Sequence, residues 1–311
     1  MNYKAWATRL TPSGEMRWEY LEGGPDGWND TSTHGQRFYE AIEMPDQSTL
    51  LCGEKIIDKT FTVMLVRLDK DGKLLSEKLL PPVRPNVVVT LGSCHKRSNG
   101  IVLMGAVSGQ PAGTGWMALL DWDLNLQWTK FSDDFGGGEF IDTGDTLTAL
   151  GWWWSDPKYY IEKIGPDGDI IAKHPLPEGE LHLVKGDGSS QPLRIVRMIS
   201  NQHTEVFDFD DQLRGPSHTL QLHNVGVKKS VGLPDGSIVI VGAANTSLLT
   251  AYPSAAVTRI YKDGRYQTFL VEPLHQSAWY IDAVLTGKGN EIAAVRQVGA
   301  AQGILDFLSF K

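Results

Sequence analysis

Short apolar runs alternate along this chain with clusters of Gly, Pro, Asp and Asn. Runs such as Thr49–Cys52, Ile101–Gly105, Ser237–Val241 and Glu291–Val295 are β-branched or aromatic and end at such clusters. That is the pattern of strands joined by tight turns. No stretch of about 12 residues keeps a capped 3.6-residue period, so almost no helix is expected.

One turn recurs along the chain, preceded by an apolar strand and followed by another. Its copies are Arg9-Leu10-Thr11-Pro12-Ser13-Gly14, Arg67-Leu68-Asp69-Lys70-Asp71-Gly72 and Leu120-Asp121-Trp122-Asp123-Leu124-Asn125. They continue with Lys163-Ile164-Gly165-Pro166-Asp167-Gly168, Asp208-Phe209-Asp210-Asp211-Gln212 and Arg259-Ile260-Tyr261-Lys262-Asp263-Gly264. Gly, Asn and Asp suit the positive φ that short hairpin turns demand, and Gly14, Gly72, Asn125, Gly168, Gln212 and Gly264 serve as markers of the spacing. The repeat is about 50 residues, too long for one hairpin and right for a four-stranded unit.

A second, inner hairpin sits between successive copies. It pairs Tyr39–Met44 with Thr49–Cys52, Val87–Leu91 with Ile101–Gly105, and Phe140–Thr143 with Thr146–Gly151. Further along it pairs Leu181–Lys185 with Leu193–Met198, Lys228–Leu233 with Ser237–Val241, and Tyr280–Leu285 with Glu291–Val295. Two hairpins per repeat make one blade, and six repeats predict a single all-β domain over residues 1–311, a six-bladed β-propeller of four-stranded antiparallel blades. The N-terminal segment Glu15–Glu22 is expected to close the ring as an outer strand of the last blade, removing free edges. Ala5–Leu10 and Ile304–Phe310 both suit that blade's third strand, and the sequence leaves the choice open.

The repeat runs as an inner strand, a Pro-Asp-Gly turn, a strand ending in Gly, an apolar strand, Asp-x-x-Gly, and a strand often carrying Trp. It resembles the bacterial repeat propellers of the quinoprotein-like and lipoprotein-like kind over nearly the whole chain. Such propellers imply a binding scaffold more often than an enzyme. The segment Glu180 to Leu222 is degenerate, no WD or kelch signature is present, and the Thr11–Gly14 turn lacks the Asp of a sialidase box.

Composition narrows the function. With 29 Lys+Arg against 37 Asp+Glu the net charge is −8, which argues against nucleic acid or an anionic membrane as partner. No apolar run approaches the ~20 residues of a membrane span, and Met1 to Tyr20 has no signal-peptide core, so a cytoplasmic location is expected. Cys52 and Cys94 lack zinc-site spacing and are expected to be free, buried thiols.

No nucleophile elbow, zinc-protease helix, phosphate loop or dinucleotide fingerprint is present, so no catalytic residue, cofactor or metal ligand is assigned. Asp121-x-Asp123-x-Asn125 begins like a calcium loop but lacks its Gly and Glu, and reads as a hairpin turn. The His residues read as surface or satisfied groups, none forming a ligand pair in sequence.

Binding candidates come from two places. Aligned inner strands put Glu40, Glu139, His182, Lys229 and Asp282 near one tier, with Asn86 close by. Aromatics supply the rest: Trp28 with Asp26 and Asp30 in the Gly23–Gly35 loop, Trp116 beside Gly105–Gly115, and Trp153 within Trp152-Trp153-Trp154. Two function classes follow. One is a non-catalytic scaffold engaging a protein partner through one face; its acidity suits a basic partner, as for an inhibitor or immunity-type protein. The alternative is a metal-assisted, lactonase-like hydrolase or lyase at the channel mouth.

Overall fold

The recurring turn closes at all six places in the computed structural model. The fourth residue of each turn donates its N–H to the first residue's carbonyl, in Gly14 to Thr11, Gly72 to Asp69, Leu124 to Asp121, Gly168 to Gly165, Leu213 to Asp210 and Gly264 to Tyr261. All six donors have positive φ. In the third and fifth copies these are leucines, one residue away from the markers Asn125 and Gln212. Leu124 and Leu213 are buried, and that apolar burial offsets the strain of a left-handed backbone. Asp121 Oδ1 accepts from the backbone N–H groups of Asp123 and Asn125, so the calcium-like segment is a self-capped turn.

The structure describes residues 5–11, 13–22, 36–57, 60–81, 88–108, 114–132, 139–152, 159–185, 193–200, 203–210, 212–216, 218–244, 254–271, 277–286, 289–299 and 302–310. None of these is helical, and no helix is long and apolar enough to cross a membrane. The strands begin with β1 (Trp6–Leu10) and β2 (Met16–Leu21), which pair with each other. The first blade holds β3 (Gln36–Glu43), β4 (Thr49–Ile57), β5 (Thr60–Leu68) and β6 (Leu74–Leu79). The second holds β7 (Val88–Arg97), β8 (Gly100–Ser108), β9 (Gly115–Leu120) and β10 (Leu126–Ser132). The third holds β11 (Phe140–Asp142), β12 (Leu147–Trp152), β13 (Tyr159–Ile164) and β14 (Ile170–Leu176).

The fourth blade holds β15 (Glu180–Lys185), β16 (Leu193–Ser200), β17 (His203–Phe209) and β18 (His218–His223). Its degenerate sequence still makes four strands. The fifth holds β19 (Gly226–Gly232), β20 (Ile238–Ala244), β21 (Ser254–Ile260) and β22 (Tyr266–Leu270). The sixth contains β23 (Ala278–Leu285), β24 (Glu291–Val298) and β25 (Gln302–Ser309). The chain is an all-β, six-bladed β-propeller in which strands follow one another antiparallel within each blade.

One expectation is corrected here. Among the described residues β25, not Ala5–Leu10, is the third strand of the last blade, and β2 has β1 as its ladder partner. Glu15–Glu22 is therefore not in the sheet of β23–β25.

Residues 1–173 and 174–311 form two compact units. In the first, the strand alternation sends successive side chains to opposite faces. On β4 and β5, Leu50, Cys52, Val63 and Leu65 pack toward the second blade, whereas Leu51, Met64, Val66 and Leu68 pack under Ala5 and Trp18 of the N-terminal hairpin. On β8, Ile101 and Leu103 face the first blade and Val102 and Met104 face the third. Both faces are covered, so these strands read as nearly unbroken apolar runs. The second unit repeats this on β20, where Ile238 and Ile240 join the fourth blade's core and Val239 and Val241 the sixth's.

The cysteines are also corrected. Cys52 of β4 and Cys94 of β7 are joined by a disulfide that ties the first blade to the second. Both are fully enclosed in the same inter-blade core, and their separation of 42 residues gave no sign of proximity in sequence.

Candidate functional site

The inner strands carry a shared irregularity. In β3, β7, β19 and β23 one extra residue is inserted into the ladder: Tyr39, Gly92, Lys228 and Ile281. Such bulges bend a strand and re-aim its side chains. Facing three of them is a glycine, Gly53, Gly105 and Gly242, where a Cβ would overlap the carbonyl oxygen of Arg37, Thr90 and Gly226 respectively. This is why the second strand of the repeat so often ends in Gly. The residues just after the bulges are Glu40, Ser93, Lys229 and Asp282, so three of the expected tier share an equivalent place in their own strands.

In the first unit the bulge is organised around Glu54, which is 1% exposed. Arg37 Nε and Nη2 donate to Glu54 Oε2 at 3.0 and 2.7 Å, and the Tyr39 hydroxyl donates to the same oxygen at 2.7 Å. Glu54 Oε1 accepts the Leu91 N–H of β7, so one carboxylate joins two blades. Burial and the neighbouring Glu54 together push the Tyr39 phenol well above its ordinary range. Every oxygen of this carboxylate is committed to the fold.

In the second unit the corresponding hub is Asp306. Arg296 donates to it from Nε and Nη2 at 2.7 and 3.2 Å, and Tyr280 donates its hydroxyl at 3.0 Å. Burial, then Asp306, raises the Tyr280 phenol. Nearby strands β15 and β19 are bridged by Lys228 and Glu180 at 3.4 Å, with His182 Nε2 at 3.8 Å from the same carboxylate oxygen.

The expected residues fall out as follows. His182 is buried on β15 opposite Val196, and Glu139 precedes β11 and accepts from the Leu150 N–H through its carbonyl. Glu40 is half-buried, while Asp282 is exposed and accepts from the Ala283 N–H. Trp116 requires correction. It lies on β9 rather than in a loop, is 1% exposed, and donates its indole N–H to Thr129 Oγ1. Its ring faces the core between the first two blades and offers nothing to a partner. Asp26, Trp28, Asp30, Asn86 and Trp153 lie outside the described residues. Among the described residues no three His, Cys, Asp or Glu side chains gather as a metal-binding group.

What sequence reasoning missed is a group of exposed apolar side chains on β23. Ile281 is 45% exposed, Val284 63% and Leu285 37%, and all flank Asp282. The bulge leaves Ile281 and Asp282 exposed in succession, after which alternation resumes with Ala283 buried and Val284 exposed, and Leu285 ends the strand. In sequence the segment reads as an ordinary buried strand.

No protein-family model matches the chain, and no curated protein sequence matches it. Solved structures do. The β-propeller domain of the Trilobed protease from Pyrococcus furiosus, described as having an open velcro topology, is similar with a TM-score of 0.57 at 9% identity, covering 89% of this chain and 83% of that one. The dihydro-heme d1 dehydrogenase NirN is similar with a TM-score of 0.53 at 13% identity, covering 98% and 68%. An acylaminoacyl peptidase is similar with a TM-score of 0.52 at 11% identity, covering 84% of this chain and 43% of that one. At these identities the likeness is one of fold, and the fold shared is the β-propeller.

Proposed function

We propose that this propeller is a binding scaffold that engages a protein partner through the side bearing the inner strand β23. The observation that carries the reading is the exposure of Ile281, Val284 and Leu285 on the strand that carries Asp282. Aliphatic side chains gathered on one strand with an adjacent charge supply the desolvated centre and polar margin of an interface. The net charge of −8 favours a basic partner by long-range attraction. An inhibitor or immunity-type role is one case of such pairing.

The redox setting bears on where this happens. A persistent Cys52–Cys94 bond belongs to an oxidising compartment, which moves the expected location away from a reducing cytoplasm.

The test is co-purification from the native host with wild type and Val284→Asp, confirmed by titrating the recovered partner in purified form. The expected result is at least tenfold weaker binding by V284D with an unchanged melting temperature. Equal affinity of the two proteins overturns the reading.

A further inference from the structure

The outer hairpin of the fourth blade brings two histidines face to face. His203 opens β17 and His223 closes β18, and the ladder sets them directly opposite each other. Their ring centres are 5.6 Å apart with the planes at 76°. Two imidazoles bound to one ion through nitrogens at about 2.0–2.1 Å hold their ring centres roughly 5–6 Å apart, so the ring spacing is compatible with a shared ion once both nitrogens turn toward it. His203 is partly exposed and His223 exposed, leaving room for an ion to enter and keep water.

One neighbour is a carboxylate whose charge is shared with an arginine. Glu205 lies two residues from His203, on the same face of β17. Its Oε1 is 3.5 Å from His203 Nε2, while its Oε2 is held at 3.1 Å by Arg197 Nη1. Arg197 is itself fixed by donating from Nε to the Glu178 carbonyl at 2.8 Å. The carboxylate is therefore anchored beside the imidazole pair. Imidazole nitrogens favour Zn²⁺, Cu²⁺ and Ni²⁺ over the oxygen-seeking Ca²⁺ and Mg²⁺.

We propose that His203 and His223 form a two-histidine surface site for a divalent transition-metal ion, with water completing the shell, while Glu205 stays in its ion pair with Arg197 beside the site and is not a third ligand. The nineteen intervening residues hide the pair in sequence, and the hairpin register creates it. The site is independent of the β23 surface.

The test is calorimetric titration of Zn²⁺ into tag-free, chelator-stripped protein, with NMR of the histidine rings. The expected result is one ion per chain, with His203 and His223 signals moving together and binding at least tenfold weaker in His223→Asn. Ca²⁺ should produce neither effect. His223 is exposed, so H223N keeps its fold; His203→Asn is the second variant, accepted only where its circular dichroism matches wild type. Zn²⁺ binding that H223N leaves unchanged, or no saturable binding by wild type, overturns the proposal.

Discussion

The ring of Trp18 lies against Gly72, where even a Cβ would come within 2.6 Å of the indole. Trp128 stands in the same relation to Gly168, at 2.9 Å. In each case the Trp belongs to an outer strand, β2 or β10, and the Gly to the positive-φ turn of the sheet packed beside it. The N-terminal hairpin thus sits on the first blade as the outer strands of the second sit on the third. The Trp and Gly of the repeat are two halves of one contact.

Trp18→Ala should therefore destabilise the protein by about 3–5 kcal/mol, as for other buried aromatic truncations. Trp128→Ala should cost less, because Trp128 is only partly buried although its N–H donates to the Pro166 carbonyl at 2.8 Å. Urea unfolding of both variants measures the order. A Trp18→Ala midpoint equal to wild type would remove the hairpin from the folded core.

Gly53 tests the bulge. Gly53→Ala puts a methyl group into the Arg37 carbonyl oxygen, and the nearest atoms are backbone, which cannot swing aside. A loss of about 1–3 kcal/mol is expected from such overpacking. Gly303→Ala is the control: nothing lies within 4 Å of its Cβ position, so stability should stay within about 0.5 kcal/mol. Glu54→Gln, which weakens four bonds to one carboxylate, should cost about 2 kcal/mol.

These contacts show what the sequence could and could not convey. Turn chemistry and strand period are local, so the six repeats and the inner hairpins are legible from Asp-x-x-Gly, Pro-Asp-Gly and the β-branched runs. The recurrent Gly53, Gly105 and Gly242 were visible as a pattern, but their cause, a bulge in the facing strand, is a pairing property. Glu54 and Asp306 look like surface charges until Arg37, Tyr39, Arg296 and Tyr280 are folded around them. Trp116 was misplaced because flanking glycines suggest a loop, whereas β9 is buried on both faces. The Cys52–Cys94 and His203–His223 pairs depend on long-range register, which no local spacing encodes.

The disulfide predicts that denatured, unreduced protein has no titratable thiol from Cys52 or Cys94. Removing the bond by Cys52→Ala with Cys94→Ala should lower stability by about 2–4 kcal/mol, since the unfolded chain regains the freedom of a long loop. Two free thiols in protein purified without reductant would contradict the linkage.

The last prediction concerns acid. Asp46 and Asp235 occupy the same turn in the first and fifth blades, and each is gripped identically. Ser48 and Ser237 donate backbone N–H and hydroxyl to the aspartate Oδ1, and Arg67 and Arg259 donate to Oδ2. The Ser48 hydroxyl is the main reason that the Asp46 carboxyl falls to about 2. At Asp235 burial works in the opposite direction, yet the Ser237 and Arg259 contacts still leave it lowered. A carboxyl depressed in the folded state contributes stability above its unfolded pKa, about 3.9, and loses that contribution as pH falls toward the folded value. Wild type should therefore weaken progressively between about pH 4 and pH 2. Asp46→Asn removes one of the carboxyls lowered in the folded state, so its stability should start lower at pH 6 and fall less steeply over that window. Urea midpoints at several pH values measure both slopes. Parallel slopes for wild type and D46N would show that Asp46 has the same proton affinity folded and unfolded, contrary to the grip of Ser48 and Arg67.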